Sequence, residues 1–364
     1  MKIVISGYYG FNNSGDDALL QAIIEDIKSI DEKAEITVLS NSPDSTKKIY
    51  GVNAVNRYNV LMLAAKISQC DLLISGGGTL IQDATSTKSL IYYLTVIRLA
   101  KFFKKKIMLY ANGIGPLTSF KNIEKTKRVL NEVDLITLRD ENSLKELEQI
   151  GVTKPQIKLT ADPAFLLQPD LSGKDILSNY GIPTDRPLLL VSVRKWKDNP
   201  ENFEKIMADF CDYACEKHGF FTVFVPMQHK LDYAVAAGIK NKMKNRSVVI
   251  GANYKVSSLL SLMQEVHVCV GMRLHTLIYS ASCSVPVIGI VYDPKINGVL
   301  EYMGENKFVT LEEISQEKLC ELFEEICNDY DAIKSHLKFN MRILREKACE
   351  NRELMKRLLD GGAF

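Results

Sequence analysis

Several common signals are missing from this sequence. Eight cysteines, Cys70, Cys211, Cys215, Cys269, Cys283, Cys320, Cys327 and Cys349, are scattered with no C-x-x-C pair among them. That spacing argues against a zinc ribbon or a dithiol redox motif and suits a reducing compartment. Neither charge sign dominates: 46 Lys+Arg stand against 44 Asp+Glu, for a formal net charge of +2. Bulk charge therefore points to neither nucleic acid nor membrane as partner. No uninterrupted apolar run reaches the ~20 residues of a spanning helix; the nearest, Leu90 to Phe103, is broken by Arg98 and Lys101. Met1 leads straight into the strand-like Lys2–Ser6, with no pattern of a secretory leader. The expectation is a cytoplasmic protein. There is no G-x-G-x-x-G, no Walker loop, no low-complexity tract and no acidic metal cluster, so neither cofactor nor metal is expected.

What is present is alternation. Short apolar runs at Ile3–Ser6, Glu35–Leu39, Leu72–Ser75, Ile107–Tyr110, Leu135–Leu138 and Ile157–Leu159 are separated by amphipathic stretches such as Asp16–Ile30 and Ser86–Lys101. After a Pro- and Gly-bearing break from Gln168 to Pro187, the pattern restarts with Leu188–Val193, Phe221–Val225, Val248–Ile250, His267–Val270 and Val287–Val291. The reading is α/β: two doubly wound Rossmann-like domains, residues 1–168 and 187–331, joined by a linker at 169–186. A charged, helical segment, 332–364, closes the chain. Ligands of such sheets bind where loops leave the carboxyl ends of strands, which predicts a cleft between the two domains.

The strand-end loops are therefore the places to look for chemistry. After the first strand comes Gly7-Tyr8-Tyr9-Gly10-Phe11-Asn12-Asn13-Ser14-Gly15-Asp16-Asp17, longer than the usual connection. Gly10, Asn13, Ser14 and Asp16 are candidate substrate contacts, and Asp17 a candidate base; adjacent acids at a helix start also serve simply as dipole partners. Gly76-Gly77-Gly78 exposes backbone N–H groups at another strand end, Asn112 follows the next, and Arg139 the one after. In the second half, Arg194 lies beside Trp196, the only tryptophan, at the end of the first strand. Gln228 and Lys295 occupy later strand ends. The sharpest cluster is Gly271-Met272-Arg273-Leu274-His275, which follows a strand and opens a helix. Of five histidines, His275 has the strongest claim on chemistry.

Assembled in order, these segments resemble the polysaccharide pyruvyl transferase family, most closely its CsaB type. The resemblance rests on the Gly7–Asp17 loop, Ser75–Asp83, Asn112–Pro116, Leu138–Ser143, Ala161–Phe165, Gly271–His275 and Tyr292–Lys295. It implies a glycosyltransferase-B-like architecture, with the helix at 332–364 packing back on the first domain. It further implies an acceptor side in the first domain and a phosphoenolpyruvate side in the second. The implied reaction moves a pyruvyl group from phosphoenolpyruvate onto a sugar of a lipid-linked cell-wall precursor, as a cyclic ketal. The resulting polymer would anchor surface-layer proteins.

The residue chemistry suits that reaction. Phosphoenolpyruvate is a compact anion that the planar guanidinium groups of Arg194 and Arg273 could clamp bidentately, helped by Arg139 and Lys295. His275, with an unperturbed pKa of about 6.5, could protonate the methylene carbon. A helix start disfavours imidazolium while a bound trianion favours it, so protonation would be linked to donor binding. Two alternatives are a nucleotide-sugar glycosyltransferase of the same fold and a non-catalytic sugar- or anion-binding protein. Against the first, Tyr279 stands where many such enzymes carry a ribose-binding glutamate, and between Gly271 and Lys295 the only acid is Asp293. The basic, aromatic stretch Arg98–Lys106 is a candidate for peripheral membrane contact.

Overall fold

The computed structural model describes residues 1–251 and 254–362, and the chain divides into two compact units. The first comprises Met1–Leu167 and the chain from Leu344 onward; the second comprises Gln168–Ile343.

In the first unit seven strands, β1 (Lys2–Tyr9), β2 (Glu35–Ser40), β3 (Asn53–Asn56), β4 (Leu72–Gly76), β5 (Lys106–Asn112), β6 (Leu135–Leu138) and β7 (Gln156–Leu159), form a sheet in the order β3-β2-β1-β4-β5-β6-β7. Every pairing is parallel. Helices α1 (Ser14–Ile30), α2 (Pro43–Tyr50), α3 (Val60–Gln69), α4 (Thr87–Phe102), α5 (Phe120–Leu130) and α6 (Glu141–Ile150) make the crossovers. Covered on both faces, the central strands are continuous apolar runs. Alternate side chains of β1 enter opposite cores: Ile3 and Ile5 join Leu20, Ile23 and Ile27 of α1, while Val4 joins Leu90, Leu94 and Ile97 of α4.

The second unit opens with α7 (Gly173–Asn179), inside the stretch read as a linker. That stretch is structured: Ile176 and Leu177 are buried, and the Gly173 N–H donates to Ser261 Oγ at 2.8 Å. Asp170 accepts from the Ser172, Ser257 and Ser258 hydroxyls, which hold its carboxyl down at about 2. Strands β8 (Leu188–Ser192), β9 (Phe221–Phe224), β10 (Ser247–Val249), β11 (Val268–Gly271), β12 (Val287–Val291) and β13 (Phe308–Thr310) form a second parallel sheet, β10-β9-β8-β11-β12-β13. Helices α8 (Phe203–His218), α9 (His229–Lys242), α10 (Val256–Met263), α11 (Leu274–Ser282), α12 (Pro294–Met303) and α13 (Gln316–Asn328) surround it.

The helix expected at 332–364 runs as α14 (Tyr330–Asp360), with residues 363 and 364 outside the described set. Its second half belongs to the first unit, where Leu354, Met355 and Leu358 pack with Ile3, Ile5 and Ile23. Asn351, fully buried, accepts from the Thr160 hydroxyl at 2.9 Å and donates to the Ala161 carbonyl at 3.1 Å. Among the described residues no helix is long and apolar enough to cross a membrane.

In both units the strand order reverses beside the first strand, between β1 and β4 and between β8 and β11. At such a switch point adjacent strands send their crossovers to opposite faces, leaving room at the carboxyl ends for a ligand. The connections at 10–13, after β1, and 77–86, after β4, flank the first switch point. Residues 193–202 and Met272–Arg273 flank the second.

Candidate functional site

At the second unit's switch point the two loops are stitched together. The Met272 N–H donates to the Ser192 carbonyl at 2.8 Å, and the Thr276 hydroxyl donates to Ser192 Oγ at 3.0 Å. On this base Arg194 lies half-buried, its Nη1 donating to the Tyr292 hydroxyl at 3.0 Å. Its guanidinium sits 4.9 Å from the Trp196 ring centre and 5.2 Å from that of Tyr292. The two rings pack 4.6 Å apart, so the single tryptophan forms one wall around this cation. Among the described residues no carboxylate lies within ion-pair distance of Arg194, and its Nε is buried with no acceptor.

Arg273 differs. It occupies the N-cap position of α11, and its Nε donates to Asp232 Oδ2 at 2.9 Å while Nη2 reaches Asp232 Oδ1 and Gln228 Oε1. Asp232 is 0% exposed and also accepts the Gln228 N–H at 2.9 Å. Arg273, read as a cation for the ligand, therefore has its charge matched and one edge of its fork occupied. Asp232 escaped the sequence reading. Its signal is modest: an acid four residues after the strand-end Gln228, in the first turn of α9. Lys295 is likewise engaged, 3.2 Å from Asp293, whose other oxygen caps α12 through the Lys295 N–H. His275 is the second residue of α11, half-buried, with Nε2 shielded from water and the Tyr279 ring 6.0 Å away.

The first unit's switch point is built from backbone and small residues. Gly10 approaches the β2 end so closely that a Cβ there would lie 2.6 Å from the Ser42 nitrogen. Asn13 caps α1, accepting from the Gly15 N–H at 3.2 Å; Ser14 is buried at the first helical position. Gly77 and Gly78 both have positive φ, +62° and +72°, a conformation costly for residues with a side chain. A Cβ on Gly78 would lie 3.1 Å from Asp16 Oδ1, which places Asp16 against the triple-glycine turn. Gly76 packs under Tyr9, whose hydroxyl donates to the Gly76 carbonyl at 2.8 Å. Asp17 sits on the same helix turn, and burial pushes its carboxyl up to about 6, partly opposed by the Tyr50 hydroxyl.

Two residues expected to face ligand are held inside this unit. Asn112 is fully buried, donating to the Ser75 and Tyr110 carbonyls at 3.2 and 3.1 Å. Arg139 is also buried: its Nη1 meets Asp162 Oδ2 at 2.8 Å and its Nη2 meets the Thr79 hydroxyl at 3.2 Å. It braces the loops after β4 and β7, whereas its strand-end position suggested a cation turned toward a ligand. The basic stretch Arg98–Lys106 ends where β5 begins, at the amino end of the sheet and away from these loops. There Lys106 caps the carbonyls of Leu358 and Leu359 at 2.8 and 2.9 Å.

Two parallel-sheet α/β units of this kind, Rossmann-like in plan, recur in solved structures to which the chain is similar in fold. A putative UDP-N-acetylglucosamine 2-epimerase from Listeria monocytogenes superposes with a TM-score of 0.72 at 10% identity, covering 100% of this chain and 97% of that one. Anabaena Alr3699/HepE, solved with UDP-glucose, gives 0.66 at 13% identity over 99% of this chain and 100% of that one. In sequence the chain is 21% identical to the amylovoran biosynthesis protein AmsJ of Erwinia amylovora, covering 84% of this chain and 86% of that protein. Residues 13–294 match the polysaccharide pyruvyl transferase model, and the chain belongs to that family.

Proposed function

We propose that the donor is phosphoenolpyruvate and that its pyruvyl group becomes a cyclic ketal on a sugar of a lipid-linked cell-wall precursor, at the cytoplasmic face of the membrane. Membership of a family of transferases acting on polysaccharides supports pyruvyl transfer in general. The observation that carries the choice of donor is Arg194: a half-buried guanidinium without a carboxylate partner among the described residues, at a switch point, two residues along the chain from an aromatic wall. Such a group is suited to a small anion. Asp232 orients Arg273 so that its remaining edge is presented in a fixed direction, and the start of α11 adds a favourable field for negative charge.

In this reading His275 delivers a proton to the methylene carbon, leaving the second carbon electrophilic. A sugar hydroxyl adds there and loses its proton, the C–O bond to phosphate breaks, and a second hydroxyl closes the ketal. One phosphate is released per ketal formed. Arg194 and Arg273 stabilise the departing phosphate. Asp17, whose carboxyl titrates at about 6, is available in the first unit as the acceptor's base. Against the nucleotide-sugar alternative, Tyr279, at the position where a ribose-binding glutamate would stand, is fully buried in α11, and Asp293 caps α12.

The test is to incubate the purified protein with phosphoenolpyruvate and lipid-linked disaccharides while following phosphate and product mass. Stoichiometric phosphate and a product heavier by one pyruvyl ketal are expected. Consumption of a UDP-sugar with phosphoenolpyruvate untouched would overturn the proposal.

A further inference from the structure

The first unit too holds a buried guanidinium with no carboxylate within ion-pair distance among the described residues. Arg57 follows edge strand β3 directly and is only 4% exposed. Its Nη1 donates to the Gly7 carbonyl at 3.1 Å and its Nη2 to the Tyr93 hydroxyl at 3.4 Å, while its Nε is buried with no acceptor. Four rings surround it: Tyr92 at 4.2 Å, Phe11 and Tyr93 at 5.4 Å, and Tyr58 at 5.6 Å. Among the described residues no acid forms an ion pair with it. Burying a charge without a counter-charge is costly, and aromatic faces offset only part of that cost. The site is nonetheless shallow, because Tyr58, one of its covering rings, is 64% exposed. The contact with Gly7 ties it to the last residues of β1, at the β1–β4 switch point.

Beside it the chain does something unusual for a surface. Tyr58 is followed by Asn59, the N-cap of α3, and then by Val60, Leu61 and Met62, which are 71%, 83% and 42% exposed. Three consecutive apolar side chains open to water at a helix start have no packing purpose within the unit, whose core takes Leu63 and Ile67 from this helix. A cation one side chain below the surface and an apolar turn next to it together match an amphiphile with an anionic head and a hydrocarbon tail.

We infer that Arg57 and the Tyr58–Met62 turn bind the phosphate and the adjoining hydrocarbon of a lipid-linked acceptor. This rests on the acceptor class given above and adds the place where it is gripped. Membrane contact is then made at the strand-end side of α3 and not through the lysines at the end of α4. Phe11, stacked on Tyr8 at 4.0 Å, belongs to the same glycine-bearing loop, so gripping the phosphate would also fix that loop beside Asp16.

Binding of farnesyl diphosphate, inorganic diphosphate and farnesol to the full chain tests this without requiring turnover. Farnesyl diphosphate should bind at least about tenfold more tightly than either fragment. Arg57→Met should weaken binding of both phosphorylated probes by about tenfold or more. The double variant Leu61→Ser/Met62→Ser, confined to exposed positions and so expected to fold normally, should weaken only farnesyl diphosphate. Saturating phosphoenolpyruvate should displace none of them. Farnesol binding as tightly as its diphosphate, equal binding by the double variant, or displacement by phosphoenolpyruvate would each overturn the inference. Those outcomes leave pyruvyl transfer to be judged separately by phosphate release.

Discussion

The two units share a sheet plan but place different chemistry on it. At the first switch point the chain offers glycines, caps and a pair of acids; at the second it offers two arginines, a histidine and a tryptophan. Beneath that contrast lies a shared feature. Arg139 is locked to buried Asp162 and Arg273 to buried Asp232, whereas Arg57 and Arg194 are set among aromatic rings with no acid within ion-pair distance among the described residues. A guanidinium whose charge is already matched serves first as a brace, and Arg273 keeps only its remaining edge for a ligand; one set against rings keeps its full affinity for an anion. The residue type alone therefore does not separate building from binding, whereas the partner does.

The comparison is open to test. The largest expected effect is on His275: His275→Ala should lower the rate of phosphate release by about 10²–10⁴-fold while leaving the melting temperature unchanged. Normal turnover by that variant would remove the proton donor from the second switch point. Next come the braces. Arg139→Met and Arg273→Met should each destabilise the fold by about 3 kcal/mol in urea titrations, because Asp162 and Asp232 would remain buried and unpaired. Arg194→Met, by contrast, should leave the unfolding free energy from urea titration within about 0.5 kcal/mol of the wild type and raise the KM for phosphoenolpyruvate by about tenfold or more. Equal destabilisation of all three would erase the distinction between brace and clamp.

The smallest expected effect is a pH dependence in the first unit. Burial raises the Asp26 carboxyl from 3.8 to about 6, opposed by the Tyr110 hydroxyl and by Arg352. A folded state that holds this proton more tightly loses relative stability as pH rises from about 4 to about 6, by no more than about 3 kcal/mol. Asp26→Asn should flatten unfolding curves across that window, and an unchanged slope would show that the carboxyl titrates normally.

Much of the fold was legible because parallel strands buried on both faces leave unmistakable apolar runs, as in Leu188–Ser192 and Leu72–Gly76. Strand β3 left no such mark: of Asn53–Asn56 at the sheet edge, only Ala54 is buried. Passing over it meant passing over Arg57. At the candidate site, position along the chain indicated which loops meet at the switch points but not what their side chains touch. Asp232 and Arg273 lie 41 residues apart, and Arg139 and Asp162 lie 23 apart. Only the tertiary fold reveals that each pair neutralises itself.

The course of α14 bears on how this molecule is made. The hydrophobic layer formed by Ile3, Ile5 and Ile23 lacks Leu354, Met355 and Leu358 until more than three hundred further residues have been translated. An emerging ribosomal chain can therefore complete its second sheet while the first still exposes an uncovered greasy face. The nascent first unit should be the one that engages chaperones, and the emergence of α14 should be the event that closes it.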